Sequence, residues 1–586
     1  MAYRLKIQTS KKTTTYYVTE DIYVNGRKST GIAERIGNTE ELAKQHPDQD
    51  PEQWARAYVE RLRAQDKQDN QPVIVKHLPR TLISHGQVVS YNVGYLFIQQ
   101  IYYRLGLDKL CHQIKQDYQF SYDLNQILSY LLYARMLRPG SKRALVETAK
   151  TFLQPVDFQV QQIYRSLSVL SQENERIQEW LYKKSAAVCE RKTSILYYDL
   201  TNFYFEIEEE DIEDGSRKYG LGKENRPNPI VQLGLLMDGN GIPLAFDITP
   251  GNTNEQGTMK PLEQRILKDF DISKFVICTD AGLSSMANRK FNSLDNRAFV
   301  TTQSLKKMVK HLKEWALDPT GWRLLGSEKQ YNLKEIDTEE DLLEETNLDN
   351  QQDDRLYYKE RWINEKDFEQ RLIVTFSPKQ QRYQRHIRAK QIQRAQELIE
   401  RNPGKLTQKR QTDYKRLIHS YNLTPEGELA DKAIHHLSQE RIAAEEQYDG
   451  FYAVCTNLDG GVRDLLKINK GRWQIEETFR LMKHDFKSRP VYLQRDDRIR
   501  AHFLTCYITL LIYRILEQAL PDHFTSCEIL DTLRQMNLHK VKNQGFIPSY
   551  TRADLTDALH ELAGFRTDYE INTHKHINKI LRQSKK

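Results

Sequence analysis

The apolar residues of this 586-residue chain fall into blocks of different period. Residues 3–36 alternate in short runs, YRLKIQT, TTTYYVTEDIYV and KSTGIAERIG, with Asn25-Gly26 in the form of a hairpin turn. This pattern predicts a small N-terminal sheet. Residues 52–66 and the segments YLFIQQIYYRLGL, LNQILSYLLYARML, RALVETAKTF and NERIQEWLYKKSAAVCER, between 90 and 190, have the helical spacing instead. From 193 the period changes again. TSILYYDLTNFYF is β-branched and aromatic with one acid, Asp199, at its middle, and PIVQLGLLM and IPLAFDIT are joined by DGNG, a hairpin signal. A helix over TNEQGTMKPLEQRILKDF and a buried strand, KFVICTDAGLSS, follow; the strand delivers Asp280. RAFVTTQS is one more strand. Three strands, a helix and further strands predict an α/β core in which the first and fourth strands can lie side by side.

Residues 308–445 interrupt this order with an acidic loop, two strand-like runs and a basic helical pair around NPG, and they read as an inserted domain. Strand character returns in DGFYAVCTNL, before a helix from about 467 and a long apolar helix over 497–519. The expected divisions are 1–80 (β-rich module with helix), 81–190 (helical, a candidate DNA-end-binding domain), 191–307 and 446–520 (two parts of one core), 308–445 (insertion) and 521–586 (C-terminal helices).

On a helical wheel at about 100° per residue, Arg472, Lys483, Glu476 and Arg480 share one face of KGRWQIEETFRLMKHDF. Ile475, Phe479, Met482 and Phe486 form the buried row beside it. Glu476 therefore belongs to the core margin, and Glu477, about 100° further round, is expected to point to solvent. An ordinary Arg–Glu pair spaced i, i+4, worth about 0.2–0.5 kcal/mol, describes the same residues.

Asp199 and Asp280 each interrupt an apolar strand, where an unpaired carboxylate is costly to bury. Backbone N–H groups or an arginine can satisfy a single buried acid. Two acids on neighbouring strands with a third at a helix margin repel one another unless a cation lies among them, and hard, oxygen-seeking Mg²⁺ suits such a donor set.

Composition narrows the class without deciding it. At 39% hydrophobic and 28% charged residues the chain suits a globular protein, and a net charge of +7 is compatible with nucleic acid without requiring it. The apolar run FLTCYITLLIY at 503–513 is shorter than the roughly 20 residues of a membrane helix. The N-terminus lacks an apolar leader, so a cytoplasmic location is expected. Six cysteines without C-x-x-C spacing argue against a zinc ribbon. The basic stretch YARMLRPGSKRAL has the residues to grip phosphates, with a solvated helix end as the equal alternative.

The strings YYDLTNFYFE, YGLGKENRPNPIVQLGLLMDGNGIPLAFDITPGNT, CTDAGLSS, DGFYAVCTN and GRWQIEETFRLMKHDFKSRPVY, in this order over about 190–305 and 449–520, resemble the DDE transposases of bacterial insertion sequences. The resemblance is to the broad group with a Y-x2-R-x3-E-x6-K signature. Arg472, Glu476 and Lys483 fall at its intervals, while Asn469 stands at its tyrosine position. The resemblance implies a ribonuclease-H-like catalytic core with a β-containing insertion domain, beside the N-terminal sheet and the helical domain. It also implies a metal-binding triad of Asp199, Asp280 and Glu476 holding two Mg²⁺ ions, for which Mn²⁺ substitutes. Implied partners are double-stranded DNA, as terminal inverted repeats and target, and a second copy of the chain in a synaptic dimer; the implied reaction is cleavage at the element's ends and joining of the 3′-OH to target. Arg472 and Lys483 would steer phosphates. Lys223 and Arg226 in GKENRP would touch backbone phosphate, a structural turn being the equal alternative. Trp473 would stack on a displaced base or pack its helix, and packing is the expected role. His502 matches the group's pattern too, but is expected to be a buried helix histidine with a satisfied partner. A nuclease or resolvase on the same core, or a non-catalytic DNA-binding descendant, remain alternatives.

Overall fold

A computed structural model describes residues 3–10, 13–24, 27–69, 72–75, 79–211, 215–220, 222, 227–336, 355–401, 413–423 and 429–586. The chain divides into two compact units, residues 1–87 with 541–547, and residues 88–540 with 548–586.

In the first unit Arg4–Thr9, Thr14–Val24 and Arg27–Asn38 form a three-stranded antiparallel sheet. The turn residues Asn25 and Gly26 lie outside the described residues. Asn38 ends the sheet and starts the helix Thr39–Gln45 through a capping box: Glu41 N–H donates to its side chain at 2.7 Å, and its own N–H donates to the Glu41 carboxylate at 3.0 Å. Tyr16, Leu42 and Ala55, the last from helix Pro51–Asp69, make a small core with Trp54 packed on it.

The second unit is mixed α/β. Helices Tyr95–Arg104, Leu107–Tyr118, Leu124–Leu137, Val160–Gln172 and Asn174–Ser185 precede a ten-stranded mixed sheet. Its main strands are β1 (Ile195–Tyr204), β2 (Ile230–Asp238), β3 (Pro243–Pro250), β4 (Phe275–Thr279), β5 (Arg297–Thr302), β6 (Tyr357–Asn364), β7 (Glu369–Phe376) and β8 (Phe451–Thr456). Two short strands lie outside β6 at the sheet's edge, and the order continues β6-β7-β8-β5-β4-β1-β2-β3. β1, β2 and β3 are antiparallel neighbours, whereas β1 pairs with β4, and β4 with β5, in parallel. The first and fourth strands are therefore side by side, as the sequence suggests. β6 and β7, from the expected insertion, extend this same sheet through the antiparallel β7–β8 pairing.

The β2–β3 turn shows why DGNG closes a hairpin. Buried Asp238 accepts the N–H groups of Asn240 and Ile242, each at 3.0 Å, and Arg191 neutralises it at 2.8 Å. Gly241 takes a φ of +77°, which suits glycine.

Strand alternation gives the sheet two apolar faces. Tyr198 and Leu200 pack with Leu262 and Ile266 of α1 (Met259–Asp269) on one face. Tyr197, Cys278, Val300 and Val454 pack with Val462 and Leu465 of α2 (Val462–Lys470) on the other. After α2 come α3 (Trp473–Arg480), a π-helical turn at Leu481–Asp485 and α4 (Asp496–Ala519). Among the described residues α4 alone is a helix long and apolar enough to cross a membrane, and it is packed inside the protein. Phe503 of α4 meets Phe203 of β1 at 4.8 Å between ring centroids.

Candidate active site

Asp199 occupies the middle of β1 and is 7% exposed. Asp280 is the first residue beyond β4. The parallel register pairs Ile195 with Val276, Leu196 with Ile277 and Tyr197 with Cys278. The pairing ends there, with Asp199 two residues further along β1 and Asp280 two residues further along the chain that leaves β4, and the period of two puts Asp199 on the face that α2 covers.

The loop after β4 wraps the second acid. Asp280 Oδ1 accepts the N–H groups of Gly282 at 3.0 Å and Leu283 at 3.1 Å. Asp199 Oδ1 accepts the N–H of Leu200 at 2.8 Å.

Gly471 brings the third acid to these strands. A Cβ at Gly471 would stand 2.1 Å from the Tyr197 hydroxyl, so only glycine lets the α2–α3 junction sit this close to β1. The Tyr197 hydroxyl in turn donates to the carbonyl of Ile468 at 3.1 Å, in the last turn of α2. The next residue, Arg472, pairs with Glu476 at 3.0 Å. Burial pulls the Arg472 guanidinium down, but Glu476, Tyr452, Asp199 and Asp280, in that order, push it up, and the net shift is upward. The three acids thus bear on one cation, whose Nε is buried without a hydrogen-bond partner.

The trio is open. Among the described residues, Asp557, His560 and Asp568 are the three potential ligands whose donor atoms lie within 4.8 Å of one another, and Arg566 and Arg552 already pair with those two aspartates. Asp199, Asp280 and Glu476 are more widely spaced, with Glu476 turned toward Arg472.

Two expectations need correction. Glu476 is the more exposed glutamate, with 57% of its side chain accessible, and Glu477 the less, at 23%. Arg514 of α4 accounts for this, since it donates to Thr478 Oγ1 at 2.8 Å and reaches Glu477 at 3.5 Å. A wheel drawn for one helix cannot register its neighbour. Trp473, expected to pack its helix, is 54% exposed, because the buried row of α3 is Ile475, Thr478 and Phe479.

Lys483 lies in the π-helical turn, which alters the spacing a regular helix would give. Its Nζ nevertheless sits 5.5 Å from the ring of Phe203, on the strand face of Asp199. His502 is buried, with Nε2 3.0 Å from the Ser488 carbonyl, and burial lowers its pKa well below the ordinary value. Lys223 and Arg226 lie outside the described residues.

Sequence reasoning passed over Tyr452. Asn469 Nδ2 donates to its hydroxyl at 3.0 Å, and Thr302 Oγ1 is 2.6 Å from that oxygen. β8 thereby delivers a phenol to Asn469. The signal was present as the second aromatic in DGFYAVCTN, but its partner is 17 residues away.

No family model and no curated protein matches the chain. Among solved structures, a piggyBac transposase synaptic complex with hairpin DNA matches 79% of this chain and 76% of its own at 8% identity and a TM-score of 0.35. A Mos1 transposase paired-end complex with the left transposon end matches 40% of this chain and 64% of its own, at 14% identity and a TM-score of 0.13. The Mos1 strand transfer complex matches 43% and 68%, at 12% identity and a TM-score of 0.13. These neighbours are transposases, and at such TM-scores the likeness carries no argument for this chain.

Proposed function

We propose that the chain is a DNA transposase with a ribonuclease-H-like core, which cleaves at the ends of an insertion sequence and joins the 3′-OH ends to target DNA. The observation that carries this reading is that Asp199 on β1 and Asp280 just beyond the neighbouring parallel strand lie near the α2–α3 junction, where Arg472 pairs with Glu476 at 3.0 Å.

The donor set suits Mg²⁺, or Mn²⁺ in its place, because it consists of carboxylate oxygens alone. Asp199 and Asp280 would hold such ions from the strands and Glu476 from α3, once it gives up Arg472. Two bound ions would supply a water of lowered pKa and charge stabilisation at the leaving 3′ oxygen.

The chain's own residues do the rest. The N–H groups of Gly282 and Leu283 fix the orientation of the Asp280 carboxylate. The fork of Arg472, freed from Glu476, fits a phosphate in two-pronged fashion, and Lys483 adds a point charge on the same face. Trp473 offers an exposed ring for a displaced base. The 3′-OH left by cleavage then occupies the place of the attacking water, so no covalent enzyme intermediate is needed. Synapsis of two ends requires a second copy of the chain.

The test is incubation with Mg²⁺ or Mn²⁺ and DNA carrying the repeats that flank the gene. Cleaved ends joined to target DNA support the reading. Cleavage without joining favours a nuclease, and binding without either favours a non-catalytic protein.

A further inference from the structure

Far along the chain from the carboxylates, helix Leu124–Leu137 and the segment after it enclose a recess lined by Arg135, Arg138, Ser141, Lys142 and Thr148. Arg135 and Lys142 are each 6% exposed, and His502 of α4, at 5%, lies close enough for both to act on it electrostatically. No carboxylate pairs with any of the three among the described residues, and Glu147 is engaged by Lys150 at 2.7 Å. Arg135 spends Nη1 on the carbonyls of Phe486 and Lys487, at 3.1 and 3.2 Å, while its Nε is buried without a partner.

Buried cations are ordinarily paired, since the attraction must offset lost hydration. Here two basic side chains share one recess with hydroxyl groups, and among the described residues neither pairs with a carboxylate. Burial, with the charge of Arg135 added, pushes the Lys142 ammonium down to about 7, the direction expected of a cation without its counter-charge. Arg138, exposed at the rim and bonded to Thr151 Oγ1 at 3.1 Å, adds a third positive group.

We propose that this recess is a seat for a phosphate group and, resting on the DNA reading above, that a backbone phosphate of bound DNA fills it. The tetrahedral anion would lie between Lys142 and Arg135, with Ser141 and Thr148 as hydroxyl donors. Arg135 ties the seat to the residues that follow Lys483 and the π-helical turn.

The test compares wild type with Lys142→Met, which removes the ammonium and keeps an unbranched side chain, and with Arg138→Gln at the rim. Thermal unfolding is followed in inorganic phosphate and in chloride of equal ionic strength, and duplex affinity is followed against salt. Phosphate is expected to raise the wild-type midpoint by several degrees, to act less on Arg138→Gln and to leave Lys142→Met unmoved. Duplex affinity should fall about tenfold in Lys142→Met, with a salt slope shallower by about 0.9. Protection by phosphate with unchanged DNA affinity would assign the seat to a free anion and overturn the DNA half. Equal midpoints in both salts for wild type and both variants would overturn the seat itself. Neither readout requires strand cleavage, so a wild type that shows both effects but does not cut refutes the transposase reading and leaves the seat standing.

Discussion

Gly471 lies so close to Tyr197 that a Cβ at residue 471 would stand 2.1 Å from the phenolic oxygen and 2.8 Å from the ring carbon that bears it. The contact is with the rigid end of a buried ring, so the junction between α2 and α3 has to move if glycine is replaced. Gly471→Ala is expected to lower stability by about 1–3 kcal/mol, and to reduce DNA cleavage by more than the unfolded fraction explains, because Arg472 and Glu476 shift with α3. Urea unfolding beside cleavage rates measures both; an unchanged midpoint would show that the contact relaxes without cost.

Arg472 pairs with Glu476 at 3.0 Å and feels the charges of Asp199 and Asp280 as well. Arg472→Met leaves them facing one another, so the variant should be less stable than wild type in a chelator and gain more from added Mg²⁺. Thermal unfolding across a Mg²⁺ titration reads this difference. Parallel curves for the two proteins would mean that the acids do not gather at one site.

The exposed ring of Trp473 belongs to no core. Trp473→Ala should change stability by less than about 0.5 kcal/mol, as surface substitutions do, and weaken binding to cleaved or distorted ends by about 1–3 kcal/mol if a base stacks there. Fluorescence titration against intact and melted duplexes separates the two effects.

A pH effect follows from Glu263 on α1, which is fully buried and accepts Asn292 Nδ2 at 3.0 and 3.2 Å. Burial raises its pKa from 4.5 to about 8, with Asn292 and Arg297 opposing. Folded protein holds this proton where unfolded chain has lost it, so the contribution is whole below about 4.5 and disappears as pH rises through about 8. Glu263→Gln, which cannot ionise, should flatten the decline between about pH 4.5 and 8 in a series of unfolding midpoints. Identical pH profiles would place the decline elsewhere.

Much of the core was legible because its chemistry is local. Asp199 and Asp280 stand out as single acids in apolar strands, and DGNG announces the hairpin that turns at Asp238. The α2–α3 segment showed its buried row of Ile475, Phe479, Met482 and Phe486 as well. What stayed hidden depends on distant neighbours. Arg514, 37 residues beyond Glu477, reverses which glutamate is exposed. Tyr452 meets Asn469 only because β8 and α2 come together, and β6 and β7 read as a separate insertion although they extend the central sheet. The burial of Lys142 without a counter-charge has no signature in RPGSKRAL.

Mg²⁺-dependent cleavage and joining of repeat-bearing DNA by Glu476→Gln and Glu477→Gln, beside wild type, tests the three-acid site most directly. Glu476→Gln should lose both steps while still binding the repeats. Glu477→Gln should keep both, and weaken only the contacts with Arg514 and Arg480, at a cost in stability of about 1 kcal/mol or less. Normal cleavage by Glu476→Gln would contradict the assignment and reduce the Arg472–Glu476 pair to a surface ion pair.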